Sequence, residues 1–310
     1  MLFRSKPLHV AARAVVICDG GFQGNLPLIG RHITPAPEKV KQRGASTGVG
    51  DGLRMAQEAG AAITDLRCFY GHVLSRDAFT NDRIWPYPQL DELGCAGIAV
   101  DEKGLRFADE GRGGVFLANN IARLADPLTV HTVFDHAVWE GPGRNARIPA
   151  NPNIVRVGAA MHQASSIAEL AGRMGVPAAQ LEQTVNEYNA ALAAGRTGSL
   201  TPPRSTGPIT GNLPIPTMPI VNPPFYAVPV CAGITYTMGG IFIDGQCRVV
   251  RRAGGVFEGL YAAGSCTGGH EGGPVAGYTG GLGKAMTFGW HAGNCIGERA
   301  RELRPGALAA

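Results

Sequence analysis

Gly259-Leu-Tyr-Ala-Ala-Gly264 is the stretch on which the reading of this chain turns. A short apolar run goes straight into a glycine, and further glycines crowd positions 268–273 and 277–283. The pattern predicts a buried strand whose carboxyl end meets a ligand, because α/β sheets bind ligands beyond the carboxyl ends of their strands. Taken alone, six such residues fit an ordinary tight turn equally well.

Three neighbouring blocks narrow the choice. Gly277-Tyr-Thr-Gly-Gly-Leu-Gly-Lys-Ala-Met-Thr-Phe-Gly289 leads into a helix predicted from about Gly283 to about Leu303. The first N–H groups of such a helix lack intrahelical acceptors and suit an electron-rich ligand. Cys18-Asp-Gly-Gly-Phe-Gln-Gly-Asn25 breaks an apolar run, Ala11–Cys18, that reads as a strand. Gly233-Ile-Thr-Tyr-Thr-Met-Gly-Gly240 is the fourth block. Together they are far more specific than any one alone. The 45 glycines of the chain suit a backbone that turns with positive φ or approaches a bulky ligand closely.

Elsewhere the periodicity predicts helices over Gly48–Gly60, Val115–Leu124, Ser165–Met174 and Pro177–Ala194, the last with apolar Leu181, Val185, Tyr188 and Leu192. Short strands are expected at 97–100, 130–134, 225–230, 240–243, 248–250 and 260–263. Residues 196–224 are rich in proline and read as an irregular crossing segment, and a loop-rich stretch surrounds Trp85-Pro-Tyr-Pro88. The order suggests an α/β domain interrupted by an inserted one.

Composition excludes several classes. Of 310 residues, 45% are hydrophobic and 17% charged, which supports a sizeable core. The net charge of +4 is too small and dispersed for a nucleic-acid footprint. No apolar run is long enough to span a membrane, and MLFRSKPLHV lacks the apolar core of a signal peptide, so a cytoplasmic protein is expected. The seven cysteines include no CxxC pair, so buried free thiols are expected rather than a metal site or a disulfide framework.

The four blocks, in this order, resemble the FAD-dependent fumarate reductase and succinate dehydrogenase flavoprotein superfamily over nearly the whole chain. The family's TGGF run reads Asp19-Gly-Gly-Phe22 here, and its GDG helix reads Gly50-Asp-Gly52. Its HTMGG run reads Tyr236-Thr-Met-Gly-Gly240, and its GLYAAGE run is Gly259–Gly264 followed by Ser265. No GxGxxG occurs in the sequence, although the family's first βαβ unit carries one. The resemblance therefore implies an α/β fold with an α+β cap. It would be a Rossmann-like FAD-binding domain, incomplete at its N-terminus, with an inserted capping domain. The expected parts are 1–66 and 235–310 for the FAD-binding domain and 67–234 for the cap. A truncated reading frame is the first expectation for the missing unit, and a second chain the other.

The activity implied is hydride exchange between a substrate carbon and flavin N5, with proton transfer at the neighbouring carbon beside a carboxylate or carbonyl. The implied partners are such a small molecule and an electron acceptor. Carried over residue by residue, Arg204 and Tyr278 are the expected catalytic pair, and His72, Thr235, Tyr236 and Thr237 the expected substrate-binding residues. Gly20, Gly21, Met238, Gly239, Gly240, Gly264, Ser265, Gly280, Gly281, Leu282 and Gly283 are expected at the flavin. Glu110 is expected to play a structural role in the cap. The family's second substrate histidine falls at Thr235 and its carboxylate-clamping arginine at Tyr278, which puts fumarate recognition in doubt. Pro202-Pro-Arg-Ser205 and Tyr278-Thr-Gly-Gly281 look like the tricarballylate dehydrogenase branch. The second expectation is a 3-ketosteroid Δ1-dehydrogenase-like enzyme, and a different class again is an inactive fragment that binds no FAD.

Overall fold

The computed structural model describes residues 9–84, 87–146, 148–206, 215–271 and 279–302. The chain runs through β1 (Val15–Ile17), α1 (Leu26–His32), β2 (Lys41–Gln42) and α2 (Asp51–Glu58). Next come β3 (Phe69–Ser75), α3 (Asp91–Ala96), β4 (Ile98–Val100), α4 (Gly114–Ala122) and β5 (His131–Asp135). Short helices α5 (His136–Glu140), α6 (Pro142–Asn145) and α7 (Asn153–Arg156) precede β6 (His162–Ala164), α8 (Ile167–Met174) and α9 (Ala178–Ala193). The last elements are β7 (Phe225–Thr237), β8 (Arg248–Val250), β9 (Val256–Ala262) and α10 (Gly281–Glu302).

Two sheets organise these elements. The smaller has the order β1-β9-β8 among the described residues. β1 and β9 are parallel, with Val15 opposite Leu260 and Ile17 opposite Ala262. The Gly259–Gly264 stretch is thus a strand paired with the first strand of the chain, and both strands end at the same edge. The larger sheet has the order β2-β7-β5-β4, with β3 and β6 also paired to β7. Its β4, β5 and nearly all of β7 are buried, as expected for β-branched and aromatic sequences covered on both faces, whereas β2 and most of β6 are not.

The helices sit where their periodicity places them. Ser166 caps α8, accepting the N–H of Glu169. α9 packs Leu181, Val185 and Tyr188 onto a core shared with Ile98, Val133 and Ala227. The segment before β7 is irregular but pinned. Tyr188 Oη donates to the Met218 carbonyl at 2.8 Å, and Asn189 exchanges two bonds of 2.9 Å with Ile220. Buried Asp135 accepts the N–H groups of Val221 and Asn222, so the backbone of this segment is satisfied without regular structure.

Two expectations change. The strand read as 225–230 continues to Thr237, because residues through Thr237 pair with β3. β3 itself was not expected at all. The segment 240–243 forms isolated bridges through Ile241 and Ile243 rather than a strand. Five cysteines are buried, whereas Cys18 is exposed beyond the end of β1 and Cys295 is intermediate.

Candidate active site

The site grows from the carboxyl edge of the small sheet. β1 and β9 end in Gly20 and Gly264, at φ values of 92° and 79°. A Cβ at either position would meet no protein atom closer than 4.0 Å or 3.7 Å respectively. The backbone therefore turns left-handed at both positions, which glycine does without steric cost. α10 begins against the same edge, where Lys284 N–H bonds to the Gly280 carbonyl at 2.7 Å.

The other residues expected at the flavin surround this edge in different ways. Gly21, Gly239 and Gly240 lie against Thr237, Asp65 and Cys266, so their smallness serves packing within the chain. Met238 is buried, and its N–H bonds to Cys68. Ser265 is partly buried. Gly281 faces the ring of Tyr236, 3.4 Å from where its Cβ would stand. Leu282 and Gly283 are exposed in the first turn of α10.

A polar cluster adjoins this edge, built on the β3–β7 pair. Tyr70 lies opposite Tyr236 and Gly71 opposite Ile234, so Thr235 is the extra residue of a bulge. Bulges re-aim side chains and recur beside functional sites. Arg43, just after β2, donates from Nη1 to Thr235 Oγ1 at 2.8 Å. Tyr236 stacks on Tyr70 with ring centroids 5.2 Å apart and donates to Glu271 at 2.5 Å. Glu271 in turn pairs with Lys284 Nζ at 2.9 Å, both buried. Tyr70 Oη lies 2.9 Å from His72 Nε2, and His72 Nδ1 bonds to the Asp91 carboxylate.

Electrostatics in the cluster are uneven. Burial lowers Arg43 from the usual guanidinium range, against the pull of Asp91, Tyr70 and Tyr87. Arginine nonetheless stays a cation. Burial, then the neighbouring Asp91 carboxylate, pushes Glu92 up to about 7.

Of the residues expected to bind substrate, His72, Thr235 and Tyr236 meet in this cluster. Thr237 is buried instead, and its hydroxyl accepts the Phe22 N–H at 3.2 Å, tying β7 to the Asp19–Phe22 turn. Tyr278 lies outside the described residues. Arg204 is 1% exposed and sits beneath α3, bonding to the Cys95 carbonyl and to Thr217. It also lies 3.6 Å from Glu110, which is held by Arg106 through two bonds of 3.0 and 2.6 Å. Arg204 and His72 thus reach α3 at opposite ends, and the described contacts do not bring them together. Glu110 accepts the Ala99 N–H as well, at 3.1 Å.

Sequence reasoning missed Arg43, Tyr70, Asp91, Glu271 and Lys284. The alternation of Phe69-Tyr-Gly-His-Val73 carried a signal for Tyr70, since His72 on a strand implies position 70 on the same face. Asp91, Glu271 and Lys284 carried none, because their partners come from remote segments. A cleft of 440 Å³ between α9 and Arg196–Thr201 lies apart from the cluster and shares none of its residues.

Comparison with known proteins agrees with this geometry. A profile described as FAD binding domain matches residues 4–281. The chain is 32% identical to 4-oxocyclohexanecarboxylate 2-dehydrogenase of Sinomonas cyclohexanicum, over 97% of this chain and 54% of that protein. It is 27% identical to fumarate reductase (cytochrome) of Shewanella frigidimarina, over 85% of this chain and 42% of that protein. The solved structure of 3-ketosteroid Δ1-dehydrogenase from Sterolibacterium denitrificans, in complex with 1,4-androstadiene-3,17-dione, aligns at a TM-score of 0.67 and 25% identity. That alignment covers 93% of this chain and 53% of that one. The chain spans about half the length of the curated relatives it matches. It belongs to the FAD-binding domain family, within the fumarate reductase and succinate dehydrogenase flavoprotein superfamily. The left-handed glycine turns after β1 and β9, with the first turn of α10 packed beside Gly264, fit such a cofactor.

Proposed function

Taking membership of that family as the premise, we propose that this chain carries the substrate side of an enzyme that dehydrogenates or reduces a C–C bond next to a carbonyl or carboxylate. The observation that carries this reading is the place of Tyr236. Its ring lies against Gly281 at the start of α10 on one side and against Tyr70 on the other. The proposed cofactor edge and the proton-bearing cluster therefore meet at one residue. In this reading 1–66 and 235–310 hold the cofactor and 67–234 form the cap, with β7 running across the boundary at 234/235.

Bound FAD supplies the two-electron redox step. The residues of the chain position and polarise the substrate. Arg43, fixed by Thr235, offers a cation to a carbonyl or carboxylate oxygen and stabilises charge that develops there. Glu271 and Lys284 hold the hydroxyl of Tyr236 and the start of α10 in one arrangement. Arg204 acts as a positioning group under α3. A single cation suits a ketone or one carboxylate better than a dicarboxylate needing two clamps, so cyclic ketones are favoured over fumarate and tricarballylate. The relatives named for an oxocyclohexane and an oxosteroid support this choice.

The test is a visible spectrum of the purified chain after incubation with FAD and gel filtration, followed by anaerobic reduction and addition of cyclic enones. Retained flavin that is reoxidised by an enone, and lost in Gly264→Val, is the expected result. A folded chain that retains no flavin, or whose reduced flavin ignores both enones and unsaturated carboxylates, overturns the reading.

A further inference from the structure

We propose that Asp91, His72 and Tyr70 form a proton relay in which Tyr70 is the catalytic group and His72 and Asp91 are positioning residues behind it. The relay rests on the reading that the site works on a C–C bond beside a carbonyl or carboxylate.

The geometry comes from the strand. Residues two apart on β3 share a face, so Tyr70 and His72 are neighbours by construction. Both ring nitrogens of His72 are engaged. An ionised carboxylate only accepts, so Nδ1 carries the proton that Asp91 receives, and Nε2 turns its lone pair to the Tyr70 O–H. Asp91 is itself immobilised. Its other oxygen accepts the Val73 N–H at 2.8 Å, and Gly114 at the start of α4 lies so close that a Cβ there would overlap the carboxyl group. Burial falls along the line, from buried Asp91 to partly exposed Tyr70. The Arg43 cation lies within electrostatic reach of both Tyr70 and Asp91. Glu92, next to Asp91 in sequence, is the other acid near the relay.

The step balances. In dehydrogenation the Tyr70 oxygen takes H⁺ from the carbon beside the carbonyl, while the Tyr70 proton passes to His72 Nε2. One C–H and one O–H bond break, and one O–H and one N–H bond form. The C–H electron pair becomes the new C=C bond as the neighbouring carbon gives up hydride to the flavin. Tyr70 ends neutral, and His72 ends as an imidazolium paired with Asp91. Reduction runs the same steps backwards.

Long-range ¹H–¹⁵N spectra of the full chain with ¹⁵N-histidine, without flavin, read the tautomer of His72, whose signal is identified by its loss in His72→Gln. The expected form is Nδ1–H with a bare Nε2. Asp91→Asn should move it to Nε2–H, the exchange of tautomer that removing a buried carboxylate partner produces. A wild-type His72 in the Nε2–H form overturns the relay, whether or not the chain binds flavin. In the flavin-loaded enzyme Tyr70→Phe should lower kcat by about 100-fold or more, with KM and flavin content nearly unchanged. Wild-type kcat in Tyr70→Phe overturns the catalytic role of Tyr70 while leaving the proposed function standing. Failure of the wild-type chain to take up flavin counts against the proposed function alone, because the tautomer still decides the relay.

Discussion

The two sheets are finished to different degrees. In the larger one, all of β5 and nearly all of β7 are buried, and α3, α4, α8 and α9 cover the strands. In the smaller one, Val15 and Val16 of β1 are exposed, and β9 is only partly buried before Tyr261. α10 adds an apolar stripe in solvent, with Leu282 at 82% exposure and Met286 and Trp290 at 72%. Positions 282, 286 and 290 recur at helical spacing, so they share a face. A contiguous apolar face of this kind marks a contact surface. The difference teaches that the larger sheet is covered by its helices, whereas the smaller one leaves Val15 and Val16 of β1 in solvent although both sheets share one hydrophobic core.

The largest effect that can break this comparison lies beside the larger sheet, at the buried Glu110. Glu110→Gln leaves the guanidinium groups of Arg106 and Arg204 buried without their counter-charge. A loss of about 3–5 kcal/mol is expected, read as a lower urea midpoint with unchanged slope. A change below about 1 kcal/mol would show that these buried ion pairs do not stabilise the larger sheet's surroundings.

Acid attacks the same sheet next. His131 in β5 is buried, and burial, then Arg76 and His162, lowers it to about 4. The unfolded chain binds this proton below its ordinary value near 6.5 and the folded chain does not, so stability rises with pH over that window. The contribution is complete above about pH 6.5 and falls by about 3 kcal/mol as pH drops towards 4. His131→Leu should flatten this limb of a pH–denaturation series. An equally steep limb in the variant would assign the acid loss elsewhere.

A smaller effect sharpens the contrast directly. Amides of β1 and β9 should exchange with deuterium at least about 10-fold faster than those of β5 and β7, a difference of about 1.4 kcal/mol in opening. Added FAD should narrow the gap, since a ligand of the native state stabilises what it touches. Uniform protection across both sheets would remove the distinction.

The smallest effect on folding belongs to the exposed stripe. Met286→Gln with Trp290→Gln should change stability by no more than about 0.5 kcal/mol. Sedimentation should nevertheless show less self-association of the isolated chain. Identical sedimentation of wild type and variant would mean that the stripe makes no such contact.

Much of the fold was legible before the tertiary structure. α8 and α9 follow from apolar spacing and from Ser166 as a cap, and β9 from five residues that run into a glycine. The long reach of β7 was not apparent because Gly233, a residue that weakens strands, interrupts the apolar run. In the sheet, β3 supplies the backbone partners that make an extended form satisfactory there, and the bulge absorbs the extra residue. The site was legible only in part. His72 and Tyr236 stood out through family motifs, whereas Arg204 matched a motif yet lies beneath α3 among Glu110, Cys95 and Thr217.

Sequence by itself determined the family of this protein and the glycine turns at Gly20 and Gly264. These are local matters, decided by periodicity and by the conformations that glycine allows. Only the tertiary structure decided which polar groups meet. Asp91 finds His72, Arg43 finds Thr235, and Lys284 finds Glu271 beside Tyr236. Such pairings join segments far apart in the chain, and a buried charge is tolerable only where the fold delivers its partner. That partner is a property of packing, which no local pattern encodes.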